Sequence, residues 1–396
     1  MQSRQVFLQS IAQTSDSPLA LEIEKGEGIY LFDTKGKKYI DLISGISVSS
    51  LGHQHPAITN AIKEQTDRHL HAMVYGEFVQ APQTKLADLL SKQLPSNLDN
   101  IYFVNSGSEA TEGALKLAKR FTGRQEIIAF NKAYHGSTHG ALSVMGDNAY
   151  KENFQPLLPN IKFLDFNKTA QLKQITKDTA CVIIELIQGE AGVISANKDY
   201  LLALRKKCDE TGTLLIFDEA QTGMGRTGTM FAFEQYEVIP DILLLAKAFG
   251  GGMPLGAFIS SKEIMSSLMH NPVLGHITTF GGHPISCAAA YASLDTLLAN
   301  NKLLINEVEE KAELFKQLLQ HKNIKELRVA GLMIAIEFES ADYCKKTIDC
   351  CLKKGIISDW FLFADNCLRI APPLIITQQQ IEESCGIILE CISNYR

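Results

Sequence analysis

The 396-residue chain lacks an uncharged apolar run that could cross a membrane. Its longest apolar stretches are broken by Asp, Lys or Gly, whereas a transmembrane helix needs roughly 18–20 apolar residues. The amino-terminal segment MQSRQVFLQSIAQTSDS also lacks the apolar core of a secretory signal. Membrane association and secretion are therefore not expected, and the cytoplasm is the default location.

The chain also has no strong excess of charge of one sign. Its formal net charge is -6, so we expect no general electrostatic attraction for nucleic acid or anionic lipid. Hydrophobic residues make up 45% of the chain, which excludes the low-hydrophobicity composition of disordered proteins. The composition predicts a folded protein with a large core and no nucleic-acid partner.

Paired cysteine motifs are absent as well. The nine cysteines include no C-x-x-C motif, and six lie near the carboxyl terminus: Cys344, Cys350, Cys351, Cys367, Cys385 and Cys391. An odd number without paired spacing in a chain of this size is typical of reduced thiols. We therefore expect reduced cysteines and no metal site, although Cys350–Cys351 could instead bind metal or respond to oxidation.

The middle of the chain alternates short apolar runs with helix-like segments. The runs are IYFV (101–104), EIIAF (126–130), IKFLDF (161–166), CVIIEL (181–186), TLLIF (213–217), ILLLA (242–246) and GAFIS (256–260). Continuous apolar runs indicate strands that are buried on both faces. Their alternation with helices predicts an α/β fold with a mostly parallel sheet.

The two ends of the chain have a different pattern. Residues 30–42 favour a β-hairpin, and the chain beyond about residue 285 favours a long helix followed by α+β structure. We expect both ends to form one small α+β domain of residues 1–50 and 290–396. Residues 51–289 would then form the large domain.

Polar residues follow the apolar runs, where ligands bind in parallel sheets. Ser106 and Glu109 have the S-x-x-E spacing of a capping box, and a helix end of this kind suits a phosphate group. An ordinary capped helix would explain the same residues equally well.

Two ionisable residues end apolar strands. Asp218 must be paired in such a place, as an ion-pair partner, a metal ligand or the counter-ion of a cationic ring nitrogen. Lys247 precedes the glycine-rich AFGGGMPLGA and is either a surface lysine or an amine nucleophile in an apolar pocket. The G-x-G-x-x-G of residues 223–228 is not a dinucleotide fingerprint, because no strand runs directly into it.

Several ordered motifs identify a family. The chain resembles the class III pyridoxal-phosphate-dependent aminotransferases of fold type I, and its motifs are most similar to the acetylornithine/ornithine branch. The motifs are GKKYIDLISGISVSSLGHQHP (36–56), NSGSEATEGALKLAKR (105–120), AYHGSTHGALS (133–143), IQGEAGV (187–193), LLIFDEAQTGMGRTG (214–228), LLLAKAFGGGMPLGA (243–257), TTFGGHPISCAAA (278–290) and LRIAPPL (368–374). The resemblance implies a large domain with a seven-stranded, mostly parallel sheet.

The resemblance also implies how the cofactor, pyridoxal 5'-phosphate, would be held. Lys247 would carry it covalently and move protons during the reaction, and Asp218 would keep its ring nitrogen protonated. Gln221 would bind the ring oxygen, and Tyr134 would stack on the ring.

A phosphate site shared between two subunits is implied as well. Gly107 and Ser108 would bind the phosphate within one subunit. Thr279 would reach the phosphate of the partner subunit, which implies a homodimer with shared active sites.

Glu190 and Arg369 resemble a substrate-gating pair. Arg369 would bind the α-carboxylate of glutamate or 2-oxoglutarate, and Glu190 would mask the arginine when the other amine is bound. The resemblance therefore implies a ping-pong aminotransferase that uses a primary amine donor and 2-oxoglutarate. An aminomutase or racemase on the same scaffold is the alternative, and a catalytically inactive binding protein is a third.

Two positions depart from the family pattern: Ala220, where the family usually has valine, and Ser137. Members that act on ornithine, acetylornithine or 4-aminobutyrate usually have an arginine after the aromatic-His-Gly motif, whereas this chain has Ser137. Serine supplies no charge for a substrate carboxylate. The identity of the amino donor therefore stays open.

Overall fold

The computed structural model describes residues 3–394, apart from the side chains of Asn300 and Asn301. The outermost two residues of the predicted small domain at each end of the chain lie outside the described residues. The α-helices of the described part are α1 Ser3–Ser10, α2 Ser44–Ser47, α3 Pro56–Arg68, α4 Ala81–Ser91, α5 Gly107–Thr122, α6 His139–Ser143, α7 Lys198–Thr211, α8 Lys262–Ser266, α9 Pro284–Asn306, α10 Val308–Leu318, α11 Ala341–Lys353 and α12 Gln378–Ser393.

The strands are numbered separately, also in chain order. They are β1 Ile23–Glu27, β2 Tyr30–Asp33, β3 Lys38–Asp41, β4 Asn100–Val104, β5 Glu126–Phe130, β6 Ile161–Leu164, β7 Thr179–Ile184, β8 Ile187–Gln188, β9 Ile194–Ser195, β10 Leu214–Asp218, β11 Ile242–Leu245, β12 Gly256–Ser260, β13 Glu326–Ala330, β14 Met333–Glu337, β15 Ile356–Ile357, β16 Asp359–Phe361 and β17 Ala364–Ile370. Short 3₁₀ turns connect several of them, including Lys247–Gly250 directly after β11.

Seven strands form the central sheet, in the order β4-β12-β11-β10-β7-β5-β6. Strand β12 is antiparallel to both of its neighbours, whereas the other pairings are parallel. Each of the seven predicted apolar runs overlaps one of these strands, and β7, β10, β11 and β12 are buried along their whole length. The predicted α/β fold with a mostly parallel seven-stranded sheet is confirmed.

Helix α5 begins at the predicted capping site after β4. The Ser106 hydroxyl accepts a hydrogen bond from the Glu109 amide at 3.1 Å, but the Glu109 carboxylate accepts from the Asn105 amide rather than from Ser106. Residues on the apolar face of α5 are buried and pack against the central sheet: Ala110, Ala114, Leu117 and Ala118. The first turn of the helix therefore lies at the carboxyl edge of the sheet, with amides that have no partner within the helix.

The two ends of the chain meet in a second sheet of order β1-β2-β3-β15. The predicted hairpin is present as β2 and β3, and β15 joins β3 in parallel. A third, antiparallel sheet has the order β13-β14-β17-β16 and lies in the carboxyl-terminal part of the chain, where the sequence predicts α+β structure. The proposed domain boundary at residue 290 falls inside α9, and the domain division stays a prediction.

Two properties of residues 3–394 concern membranes and metals. No helix in this range is both long and apolar enough to cross a membrane. In the same range, no group of three or more His, Cys, Asp or Glu side chains is arranged to hold a metal ion.

The expectation that every cysteine is reduced is wrong. Cys350 of α11 and Cys391 of α12 form a disulfide between two packed helices. The two residues are 41 positions apart, so sequence spacing gives no sign of the contact, which depends on tertiary packing. The other seven cysteines are free and buried.

Replacing Cys350 with serine should lower the free energy of unfolding. The disulfide closes a loop of 41 residues and so lowers the entropy of the unfolded chain. In the loop-entropy model this stabilises the folded state by about 4 kcal/mol. Urea unfolding should show this loss in Cys350→Ser and in the reduced parent, while the variant should not respond to reductant. Thiol titration of the denatured parent without reductant should find seven thiols, and a count of nine would contradict the disulfide.

Candidate active site

A cavity of about 380 Å³ lies where the strands of the central sheet end. Its lining residues come from the segments after five of the strands and from two loops: Asn105, Ser106, Gly107 and Ser108; Tyr134, His135 and Gly136; Glu185 and Glu190; Asp218, Ala220 and Gln221; Ala246 and Lys247; Val48, Gly252, Met253, Pro254 and Leu255. The structure thus brings together Gly107, Ser108, Tyr134, Glu190, Asp218, Gln221 and Lys247, as the sequence predicts.

Asp218 is the last residue of β10, and its side chain is buried. One carboxylate oxygen accepts a hydrogen bond from the Ala220 amide at 3.0 Å, and the other lies 2.8 Å from His135 Nδ1. The Nε2 atom of His135 is buried without a hydrogen-bond partner. The paired carboxylate therefore avoids the cost of an isolated buried charge, and His135 is the residue that orients it.

Glu185 lies beside this pair and was not predicted. It accepts hydrogen bonds from the Tyr134 amide at 3.0 Å and the Gly189 amide at 3.2 Å. Burial raises the pKa of Glu185 to about 7, with a further increase from Asp218 that the charge of His135 opposes. Glu185 directly follows a run of buried apolar residues just as Asp218 does, and this shared signal could have identified it.

Lys247 follows β11 and has a left-handed backbone, with φ of 51°. Such a conformation is strained for a non-glycine residue and is often found at functional sites. Burial lowers the pKa of Lys247, and nearby Arg369 acts in the same direction, whereas the Glu190, Asp218 and Glu185 carboxylates raise it. The balance gives a larger fraction of neutral amine than an exposed lysine has.

Glu190 and Arg369 form a buried, bidentate ion pair. Arg369 Nη1 donates to Glu190 Oε1 at 3.0 Å, and Nη2 donates to Oε2 at 2.7 Å. Although burial alone would raise it, the charge and hydrogen bonds of Arg369 lower the pKa of Glu190. The predicted pair is thus in contact, and Glu190 lines the cavity while Arg369 lies behind it.

The other predicted site residues lie at the edge of this cavity or outside it. The hydroxyl groups of Ser137 and Tyr134 are 3.1 Å apart and share a hydrogen bond, and the Ser137 amide donates to Ser108 Oγ. Thr279 is exposed and does not line the cavity of its own chain.

Residues 11–392 match the sequence model of the family described as "Aminotransferase class-III". The chain belongs to this family, and the protein is an aminotransferase. The comparisons support transamination and do not support the aminomutase or racemase alternative.

Similar proteins agree with this assignment. An acetylornithine aminotransferase of Clostridium acetobutylicum is 40% identical over 380 residues, which cover 93% of this chain and 95% of the relative. An acetylornithine aminotransferase of Methanocaldococcus jannaschii is 42% identical over 378 residues, with 92% and 91% covered. A solved ornithine aminotransferase of Toxoplasma gondii ME49 superposes with a TM-score of 0.91 at 28% identity, and the match covers 100% of this chain and 96% of that one.

Class III aminotransferases use pyridoxal 5'-phosphate, and the cavity residues fit this group. The first turn of α5 offers free amides at Gly107 and Ser108 for a phosphate. Asp218 offers a buried carboxylate for a cationic ring nitrogen, and Lys247 offers an amine for an aldehyde. Gly189 makes room for the Gln221 amide, because a Cβ at position 189 would overlap that side chain.

The raised pKa of Glu185 predicts a pH-dependent contribution to stability. Between about pH 4.5 and 7 the folded carboxyl keeps a proton that the unfolded chain releases, so stability falls as the pH rises through this window. A shift of this size corresponds to at most about 3 kcal/mol.

The free energy of unfolding should fall less between pH 5 and pH 8 in Glu185→Gln than in the parent. Urea unfolding at the two pH values measures it. Glu64→Gln on the exposed face of α3 is the matched control and should leave the difference unchanged. An equal pH dependence in the parent and Glu185→Gln would contradict the raised pKa.

Proposed function

We propose that the protein transfers an amino group from a primary amine of the acetylornithine or ornithine kind to 2-oxoglutarate, in two half-reactions. The observation that carries this proposal is the buried Glu190–Arg369 pair beside Lys247 and Asp218. Two chemically different substrates must use one site in turn, and a cation that can be masked or exposed serves both of them. The names of the acetylornithine aminotransferase relatives support the donor class.

Each chemical role falls to a residue whose surroundings suit it. When bound, pyridoxal 5'-phosphate supplies an electron sink for the carbon that carries the amine. Asp218, oriented by His135, would hold the proton on the ring nitrogen. Lys247 would take the proton from the substrate carbon, because its lowered pKa makes the neutral amine more accessible. Gly107 and Ser108 would bind the phosphate, Gln221 the ring oxygen, and Tyr134 the ring face.

The gating pair would distinguish the two half-reactions. With a donor that has no carboxylate near the reacting carbon, Glu190 neutralises Arg369, as in the present arrangement. With glutamate or 2-oxoglutarate, the substrate α-carboxylate would replace Glu190 as the partner of Arg369. A bidentate carboxylate contact is retained in both states, so the buried guanidinium is never left unpaired.

We further propose a homodimer in which Thr279 completes the phosphate site of the partner subunit. Thr279 is exposed and adjoins apolar residues that are also exposed, among them Ile277 and Phe280. A second copy of the chain would cover this surface.

The cytoplasmic location expected from the sequence also stays a prediction.

Subunit exchange tests the shared site. Lys247→Ala should lack turnover and the visible absorption of lysine-linked cofactor, and a severe Thr279 variant such as Thr279→Asp should bind the cofactor poorly. Mixing the two inactive variants should restore activity, because one hybrid site carries both lesions and the other carries neither. No recovery after verified subunit exchange would argue against the shared site, and two Lys247→Ala preparations mixed together are the control.

The residue at position 137 affects which amino donor the site would accept. The cavity rim at Tyr134 and Ser137 presents hydroxyl groups to a distal carboxylate. Neither Arg226 nor Lys132 replaces the missing arginine: Arg226 is wholly buried and donates to the Leu332 and Pro372 carbonyls, and Lys132 lines a different cavity. A donor should therefore depend little on a distal carboxylate.

Ser137→Arg should raise kcat/KM about 5- to 30-fold for donors with a distal carboxylate, because a charge-assisted contact replaces a neutral one. The 2-oxoglutarate half-reaction should change little, since Arg369 is untouched. Single-turnover rates of each half-reaction with a panel of amines measure both effects, and Ser137→Gln is the uncharged control. Loss of activity with carboxylate donors would refute this account of the donor site.

A further inference from the structure

The backbone of Glu190 is held in place separately from its side chain. Glu190 lies in the loop between β8 and β9, and its carbonyl accepts a hydrogen bond from the Phe363 amide at 3.0 Å. Its Oε2 atom accepts from the Leu362 amide at 3.0 Å. Both donors belong to the turn between β16 and β17, so one side of the loop is fixed to the third sheet.

Arg328 of β13 fixes the same loop from another side. Its Nε donates to the Gly192 carbonyl at 2.6 Å, and its terminal nitrogens donate to Glu337, Glu326 and Cys367 Sγ. The Arg328 side chain is 14% exposed. Gly192 has φ of 87°, and a Cβ there would lie 3.0 Å from Arg328 Nη2, so the close contact requires glycine.

Arg369 is held without help from Glu190. Its Nη2 donates to the Trp360 carbonyl at 3.1 Å, and its guanidinium lies 4.4 Å from the centre of the Phe361 ring. The backbone carbonyl of Arg369 accepts from Ser358 Oγ. When the ion pair opens, Arg369 can stay in place, and rotation of the Glu190 side chain is sufficient.

We propose that Arg328 is a positioning residue for the Glu190–Arg369 switch. By fixing Gly192, it holds the backbone of Glu190 where both carboxylate oxygens meet Arg369. It thereby stabilises the masked state against the state that is open to a substrate carboxylate. This inference rests on the proposed gating role of the pair.

A measurable linkage follows. Masking and substrate binding compete for one guanidinium, so any loss of stability in the masked state appears as tighter binding of the carboxylate. A charge-assisted hydrogen bond that orders the loop is worth about tenfold in such an equilibrium. Loss of the Gly192 contact should also expose the loop amides to exchange.

The chain offers a native probe of this switch. Its single tryptophan is Trp360, whose carbonyl accepts from Arg369. Trp360 fluorescence of the holoenzyme, titrated with 2-oxoglutarate, gives the dissociation constant without turnover. Hydrogen exchange of residues 189–195 in the absence of substrate reports on the loop.

Arg328→Gln should lower the 2-oxoglutarate dissociation constant about tenfold and accelerate exchange of residues 189–195. Arg328→Lys keeps the charge but loses the forked geometry, so it should show the same changes to a smaller degree and remains usable if the glutamine variant folds poorly. Lys325→Gln is the matched control, because Lys325 also bonds Glu337 on this hairpin but is 66% exposed and does not contact the loop. It should leave both measurements unchanged.

Glu190→Gln separates this inference from the proposed function. It should lower the dissociation constant if the pair is a gate. A decrease in Glu190→Gln with no change in either Arg328 variant would overturn the role of Arg328 and leave the gate standing. No change in Glu190→Gln would overturn the gate and the inference together. Equal effects of Lys325→Gln and Arg328→Gln would also overturn the inference, since hairpin charge would then be the cause.

Discussion

The active site depends on keeping several ionisable groups buried beside one another, with each of its buried carboxylates held by a partner. Removing a charge from water is costly unless a partner or hydrogen bonds replace the lost hydration. Asp218 meets His135, and Glu190 meets Arg369. Glu185 accepts hydrogen bonds from two backbone amides, but burial outweighs them and raises its pKa to about 7. The pKa values of Glu185, Glu190 and Lys247 are therefore shifted by burial and by neighbouring charges, and Lys247 lies where those charges meet.

The fold supplies this arrangement because parallel strands end at one edge of the sheet. Strands β7, β10 and β11 are buried along their length, and an ionisable residue at or just after the end of each of them lines the same cavity: Glu185, Asp218 and Lys247. Helix α5 adds free amides to that edge, and the left-handed backbone of Lys247 directs the chain into a 3₁₀ turn. Rigid strands on one side and strained turns on the other fix the side chains before any ligand binds.

The sequence predicts those parts of the site that depend on local pattern. Buried strands are visible as apolar runs, and the ionisable residues that end them are conspicuous because an unpaired charge there is costly. The position of the α5 cap follows from the spacing of Ser106 and Glu109, although the reciprocal bond goes to Asn105 instead. The partners of these groups are less visible. His135 is 83 positions from Asp218, and Cys350 is 41 positions from Cys391, so only the folded chain shows that they meet. The contact proposed for Thr279 is not visible even in the folded chain, because it requires a second chain.

In the proposed reaction the two substrate carboxylates would meet very different surroundings, and this difference would separate acceptor from donor recognition. The acceptor would meet Arg369, a buried guanidinium held by a carbonyl, an aromatic ring and Glu190. The carboxylate end of the acceptor would thus be bound by the third sheet, beside the loop that we propose Arg328 to hold. The donor's distal end would meet Ser137 and Tyr134 at the rim, where hydroxyl groups bind weakly and are exposed to water. A substitution at the rim would therefore change the donor without disturbing the buried charges, whereas a substitution near Arg369 would alter the ion pair on which the proposed gating of both half-reactions depends.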